Sequence, residues 1–171
     1  MKRIYSPEEA EEGIRLLRSA KGDPFLGCDI ITGFPGESRD EFEKSYDFCQ
    51  NLGFIGIHVF PFSRRPGTEA WDFNDRVTEK EAGLRAEKLM GLAQKNRETY
   101  IKRWIGKTVE AVVEESGEPD SVQALSENYL KLLVTLKDRP KPKAGSLIRC
   151  RILQGPAPER FDAMAEVEVR S

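Results

Sequence analysis

Residues 29–38 read DIITGFPGES and residues 55–68 read IGIHVFPFSRRPGT, and these two runs decide the fold. Each begins as a buried-type strand and ends in a turn rich in glycine and proline. A short helical pattern lies between them. Strand, turn, helix and strand at this spacing predict a βαβ unit. In such units the loops that follow the strands carry ligands and chemistry, so the rest of the chain is read as support for two loops.

The first strand is expected over 25–32, apolar almost throughout, which suits a covered parallel sheet. Asp29 interrupts it, and a carboxylate there needs a structural hydrogen bond, a ligand or water. The turn Gly33-Phe34-Pro35-Gly36-Glu37 permits positive φ and close backbone approach. It opens onto a helix N-terminus, a place that favours anions. It has neither the GxGxxG nor the GK[ST] pattern of nucleotide loops, so a plain tight turn is the competing reading. Ser38 and Glu41 form a capping box for the helix, whose buried stripe is Phe42, Tyr46, Cys49 and Leu52, with Gly53 as its stop. The second strand spans 54–62 and carries the single histidine, His58, read as a core or rim residue before a catalytic base. Arg64 and Arg65 beside Pro66-Gly67 suit a carboxylate or phosphate, or a solvated surface pair.

Upstream, Ser6, Pro7 and Glu9 predict a capped helix with Ala10, Ile14, Leu17 and Ala20 at helical spacing, ended by Gly22. Downstream, Thr78 and Glu81 open a long charged helix that runs to Trp104, with Leu89, Leu92, Ala93, Tyr100 and Trp104 as its apolar seam. From Lys107 the period changes to alternation. Strands are expected around Val109–Val113 and over 129–136, 147–153 and 163–170, which predicts a small β-barrel. Residues 137–143 (KDRPKPK) form a basic, proline-rich loop between strands, a feature of barrels that bind oligonucleotides. Residues 107–171 hold 10 Lys/Arg against 11 Asp/Glu, so a nucleic-acid surface there must be a local patch.

The net charge of −2 over 171 residues gives no general pull toward nucleic acid or membrane. No apolar run is long enough for a membrane helix, and MKRIYSPEEAEE lacks the apolar core of a signal peptide. Cys28, Cys49 and Cys150 are odd in number and widely spaced. That argues against a disulfide framework or a metal site, and for a cytoplasmic setting.

With these residues in view, DIITGFPGES, HVFPFSRRPGT, the long helix and GKTVEAVVEE together resemble the C-terminal part of the radical S-adenosylmethionine methylthiotransferases. The opening MKRIYS is similar to a segment inside those enzymes, and the likeness covers nearly the whole chain. It implies an α/β plus all-β architecture. Residues 1–75 would be the C-terminal portion of a partial (β/α) radical SAM barrel and 76–105 a connecting helix. Residues 106–171 would be a small OB-like TRAM β-barrel that binds RNA. The family holds [4Fe–4S] clusters, one of them on a CxxxCxxC triad, and none of the cysteines here matches it. The chain is therefore expected to be a C-terminal fragment, inactive alone, whose partners are tRNA and the missing N-terminal cluster domains.

Carried over residue by residue, the resemblance implies a cofactor wall of Ile30, Ile31, Gly33, Pro35, Gly36, Glu37, Phe60, Ser63 and Arg65. It implies RNA contacts from Asn128, Tyr129, Lys137, Arg139, Lys141, Lys143, Arg149 and Arg151. Tyr129 would stack on a base or, alternatively, sit in the core of a strand. HVFPFSRRPGT is most similar to the branch that adds a 2-methylthio group to threonylcarbamoyladenosine in tRNA. The isopentenyladenosine and ribosomal-protein branches are the alternatives within the family. A standalone RNA-binding adaptor and an unrelated nucleotide-binding α/β protein are the alternatives outside it.

Overall fold

A computed structural model describes residues 4–115, 118–137, 139–157 and 161–168. The chain divides into two compact units, Met1–Asn96 and Arg97–Ser171.

The first unit contains the βαβ arrangement. Helix α1 (Pro7–Lys21) precedes strand β1 (Gly27–Thr32), helix α2 (Arg39–Leu52) and strand β2 (Gly56–Pro61). The strands are parallel and pair Cys28 with Ile57, Asp29 with His58 and Ile31 with Phe60. Both strands are shorter than the sequence suggests, because each apolar run begins in the approach to the strand. Alternation then sorts the side chains. Cys28, Ile30, Ile57 and Val59 pack into a core with Phe42, Cys49 and Leu52 of α2 and with Leu89 and Leu92 further along the chain. Asp29, Ile31, His58 and Phe60 fall on the opposite face. There Asp29 and His58 are exposed, so neither is a core residue.

The capping boxes of α1 and α2 both form, and Gly53 closes α2 in the left-handed conformation at φ 58°. The stripe of α1 is only partly covered, with Ile14 packed against the core. None of its residues is buried. Ala10, Ile14 and Leu17 instead line an apolar hollow of about 1240 Å³, together with Leu26, Ile30, Phe48 and Phe54.

Helix α3 spans Glu79–Trp104. Thr78 Oγ1 accepts the Glu81 N–H at 3.2 Å. The Glu81 carboxylate, expected to close a capping box, reaches forward to Arg85 Nε at 3.1 Å.

The second unit is a closed barrel in the order β3-β4-β5-β7-β6. Its strands are Thr108–Glu115, Ser121–Ser126, Lys131–Thr135, Leu147–Gln154 and Ala163–Val167. All pairings are antiparallel except β5 with β7. Closure removes the free edges that a small sheet would otherwise expose. Val109, Val113, Val122, Leu132, Val134, Cys150 and Ile152 fill the interior at 1% exposure or less. Strand β4 was not foreseen. Its inward residues, Val122, Ala124 and Ser126, are small, and Leu125 points outward, so its alternation is weak in sequence. Val169 and Arg170, expected in the last strand, lie outside the described residues.

The end of α3 is fastened to this barrel by charge. Arg97 forks onto Asp162, Nε to Oδ1 at 2.5 Å and Nη2 to Oδ2 at 2.7 Å. Asp162 Oδ2 also accepts the Lys131 N–H at 2.8 Å. The bond to Asp162 raises the Arg97 pKa against the pull of burial.

Candidate functional sites

The C-terminal ends of β1 and β2 meet, as the βαβ reading requires. Phe62 N–H donates to the Thr32 carbonyl at 2.8 Å. Phe34 stacks edge-on against Phe62 at 5.1 Å and against Phe73 at 6.2 Å. The 33–37 turn and residues 60–65 therefore form one rim.

The turn is held from below. Gly33 has φ 75°, and a Cβ there would lie 2.5 Å from Ala82 Cβ. The glycine is thus required by the close approach of α3. Gly36 has φ 84° and open space around it, so its requirement is conformational. Glu37 is turned inward. One carboxylate oxygen accepts the Gly33 N–H at 2.7 Å and Arg85 Nη1 at 2.6 Å. Nη1 also reaches the Glu37 carbonyl at 2.9 Å. These side chains are only 13% and 7% exposed. Burial disfavours the Arg85 charge, but the Glu37 and Glu81 carboxylates outweigh it and raise the pKa. Glu37 is therefore a clamp for the turn, with Oε2 shared between Gly33 and Arg85.

Of the other expected cofactor residues, Ile30 belongs to the helix-side core, whereas Ile31 is on the opposite face. Pro35 is half-buried in the turn, and Phe60, Ser63 and Arg65 are exposed on the rim. The two arginines have separated roles. Arg64 donates to the Phe73 carbonyl at 2.6 Å and lies 5.7 Å over the Trp71 ring, so it shapes the rim. Arg65 lends its carbonyl to Thr68 Oγ1 at 2.8 Å and leaves its guanidinium exposed.

Arg85 was the main omission from sequence. It sits in a heavily charged helix, where one more arginine between Leu84 and Ala86 reads as a solvated residue. The readable signal is its place one turn after Ala82 and Glu81, on the same face as Leu89 and Leu92.

The expected RNA contacts scatter over the barrel. Asn128 is buried, and its Oδ1 hydrogen-bonds Ser126 Oγ at 2.6 Å, which fixes the turn after β4. Tyr129 does not begin a strand. Its φ of 59° breaks the ladder, β5 starts at Lys131, and its ring is 65% exposed. Lys137 pairs with Glu166. Arg139 Nη1 donates to the Glu168 carbonyl at 3.0 Å, and Lys141 Nζ donates to the Glu118 carbonyl at 2.9 Å. Lys143 is exposed. Much of the basic loop is therefore tied to its own barrel.

On β6 the outward residues are Leu147, Arg149, Arg151 and Leu153, all exposed. Arg151 Nε donates to the Gly106 carbonyl at 3.0 Å, and Arg149 stands 3.9 Å from Glu168. Beside them lies a groove of about 270 Å³ lined by Glu110, Val112, Leu125, Ser126, Glu127, Tyr129 and Leu147. Sequence reasoning missed this groove, because its walls come from three separated segments.

Among the described residues no group of three or more His, Cys, Asp or Glu side chains is placed to hold a metal ion. Cys28 hydrogen-bonds to Cys49. That bond, with burial, pushes the Cys28 thiol up, and it holds Cys49 down. Cys150 lies inside the barrel, where burial and then Glu168 push it up to about 12. Among the described residues no helix is long and apolar enough to cross a membrane.

No protein-family model matches the chain. Individual proteins do. The threonylcarbamoyladenosine tRNA methylthiotransferase of Treponema pallidum is 42% identical over 152 residues, 89% of this chain and 31% of that protein. The tRNA-2-methylthio-N(6)-dimethylallyladenosine synthase of Thermus thermophilus is 35% identical over 147 residues, 83% of this chain and 31% of that protein. The ribosomal protein uS12 methylthiotransferase of Chloroflexus aurantiacus is 32% identical over 129 residues, 74% of this chain and 28% of that protein. The chain spans about a third of the length of these relatives.

Proposed function

This chain is homologous to the methylthiotransferases over 89% of its length, and from that premise we propose that it is the substrate-side, C-terminal third of a tRNA methylthiotransferase. The reaction is addition of a 2-methylthio group to threonylcarbamoyladenosine. The 42% identity to the Treponema enzyme carries this reading. In it, residues 1–75 close a radical SAM barrel, 76–105 form the connecting helix, and the barrel at 106–171 is a TRAM domain that holds tRNA.

S-adenosylmethionine at an iron–sulfur cluster supplies the one-electron chemistry that such an unreactive C–H bond needs. The thiols of this chain do not fit a cluster, since Cys28 and Cys49 are engaged with each other and Cys150 is enclosed. Cluster ligands must come from elsewhere in the enzyme. The rim fits one wall of a cofactor site. Ile31 and Phe60 offer apolar contact, Ser63 a hydroxyl, and Arg65 an exposed charge for a carboxylate. Glu37 and Arg85 hold that rim in shape without touching the ligand. The hollow beside α1 offers Ile14, Leu17, Leu26 and Phe48 as apolar surface for further protein to pack on, which favours this reading over a standalone adaptor.

The test is a chimera in which this chain replaces the corresponding third of the Treponema pallidum protein. Nucleosides from tRNA treated with it are expected to contain the 2-methylthio form of threonylcarbamoyladenosine. A folded chimera that methylthiolates only isopentenyladenosine, or no tRNA nucleoside, would overturn the assignment.

A further inference from the structure

Cys28 and Cys49 form a dithiol where the core of the first unit meets the hollow. Cys28 lies on β1 and packs on the helix-side core, and Cys49 comes from the buried stripe of α2. Both are free thiols, and they hydrogen-bond to each other. Their exposures differ. Cys49 is fully buried, whereas Cys28 is half-buried and lines the hollow beside Ile14, Ile30 and Phe48. A small solute that enters the hollow therefore meets Cys28, with Cys49 behind it.

Two thiols in contact within one packed core have little distance to close before the S–S bond of about 2.0 Å. The bond from Cys28 holds Cys49 below its ordinary pKa, which gives the pair a thiolate. Exchange of the proton across the contact lets either sulfur carry the charge. The segment between the two residues contains the 33–37 turn and its Glu37 clamp. A bond between the sulfurs would thus join the strand before the rim turn to the helix after it.

We propose that Cys28 and Cys49 are a redox modification site, which a peroxide converts to a reversible disulfide that closes a covalent loop round the rim turn. The thiolate sulfur facing the hollow attacks the peroxide and breaks its O–O bond. That sulfur becomes a sulfenic acid, and the departing hydroxide takes a proton and leaves as water. The second thiol then attacks this sulfur, the S–O bond breaks, and a second water leaves as the S–S bond forms. Two thiols are oxidised and one peroxide is reduced to two waters. A dithiol reductant reverses the product by exchange. Access runs through the hollow, so protein packed there shields the pair. Cys150, at 0% exposure inside the barrel, serves as the control thiol.

The experiment is mass spectrometry of the full chain, first reduced, then treated with hydrogen peroxide, then unfolded and alkylated. The expected product has lost two hydrogens, is alkylated at Cys150 alone, and yields on digestion a peptide that joins Cys28 to Cys49. Reduction before alkylation should restore three alkylated thiols. Cys49→Ala should leave a sulfenic acid on Cys28, trapped by dimedone, and Cys28→Ala should leave Cys49 reduced. The wild-type masses decide the question if either variant fails to fold. Three alkylated thiols in the wild type after peroxide, or a disulfide between two chains in place of the internal one, would overturn the proposal.

Discussion

The two units solve the same problem in opposite ways. The barrel closes on itself, pairs every strand on both sides and fills its interior with small and branched side chains. The first unit has two parallel strands, a helix α1 with no buried residue and a large apolar hollow. A two-stranded sheet is marginal by itself, so the first unit depends on charge and turn geometry more heavily than the barrel does. Each unit also receives one arginine clamp from α3, Arg85 onto Glu37 and Arg97 onto Asp162. What differs is how much apolar packing stands behind the clamp.

Sequence contains one tryptophan in each unit, Trp71 and Trp104, so single-tryptophan variants can follow each unit through urea unfolding. The largest effect is expected in the barrel. Ile152 is fully enclosed, and Ile152→Ala should cost about 3–4 kcal/mol and move only the Trp104 transition. A shift of both transitions by the same amount would show that the units unfold as one. Next, Arg85→Met strands the Glu37 carboxylate in a nearly buried place. It should lower the Trp71 transition by about 3 kcal/mol. The double change Glu37→Gln with Arg85→Met should recover part of that loss. No recovery would mean that Arg85 acts by packing on Phe42, which its guanidinium overlies at 5.4 Å. Gly33→Ala meets both positive φ and the Ala82 side chain, and about 2 kcal/mol of loss is expected, again in the first unit alone. The smallest perturbation is thiol labelling. Cys49 should react as the first unit opens and Cys150 only when the barrel unfolds, so equal labelling rates would break the comparison.

Much of this was legible in the sequence, and the reasons are specific. The capping residues Ser6, Ser38 and Thr78 mark their helices because a helix N-terminus has few chemical solutions. The βαβ unit is plain because both strands end in Gly/Pro turns. Strand β4 was hidden by its small inward residues and by the outward Leu125. The turn at Tyr129 reads as the start of a strand, since an apolar run continues directly after it. At the rim, residue types point to the loop but not to the partner of Glu37. Only the partner 48 residues away, Arg85, reveals that the carboxylate is already engaged. Long-range pairs of this kind leave no local pattern. The groove on the barrel was unreadable for the same reason, because β3, the 125–129 turn and β6 meet only after closure.

The most direct test of the account is amide hydrogen exchange on the full chain, with and without tRNA. It predicts slow exchange through β3 to β7 and faster exchange in α1 and β1, with tRNA adding protection on the barrel. Equal protection in the two units, or no tRNA-dependent protection on the barrel, would contradict it.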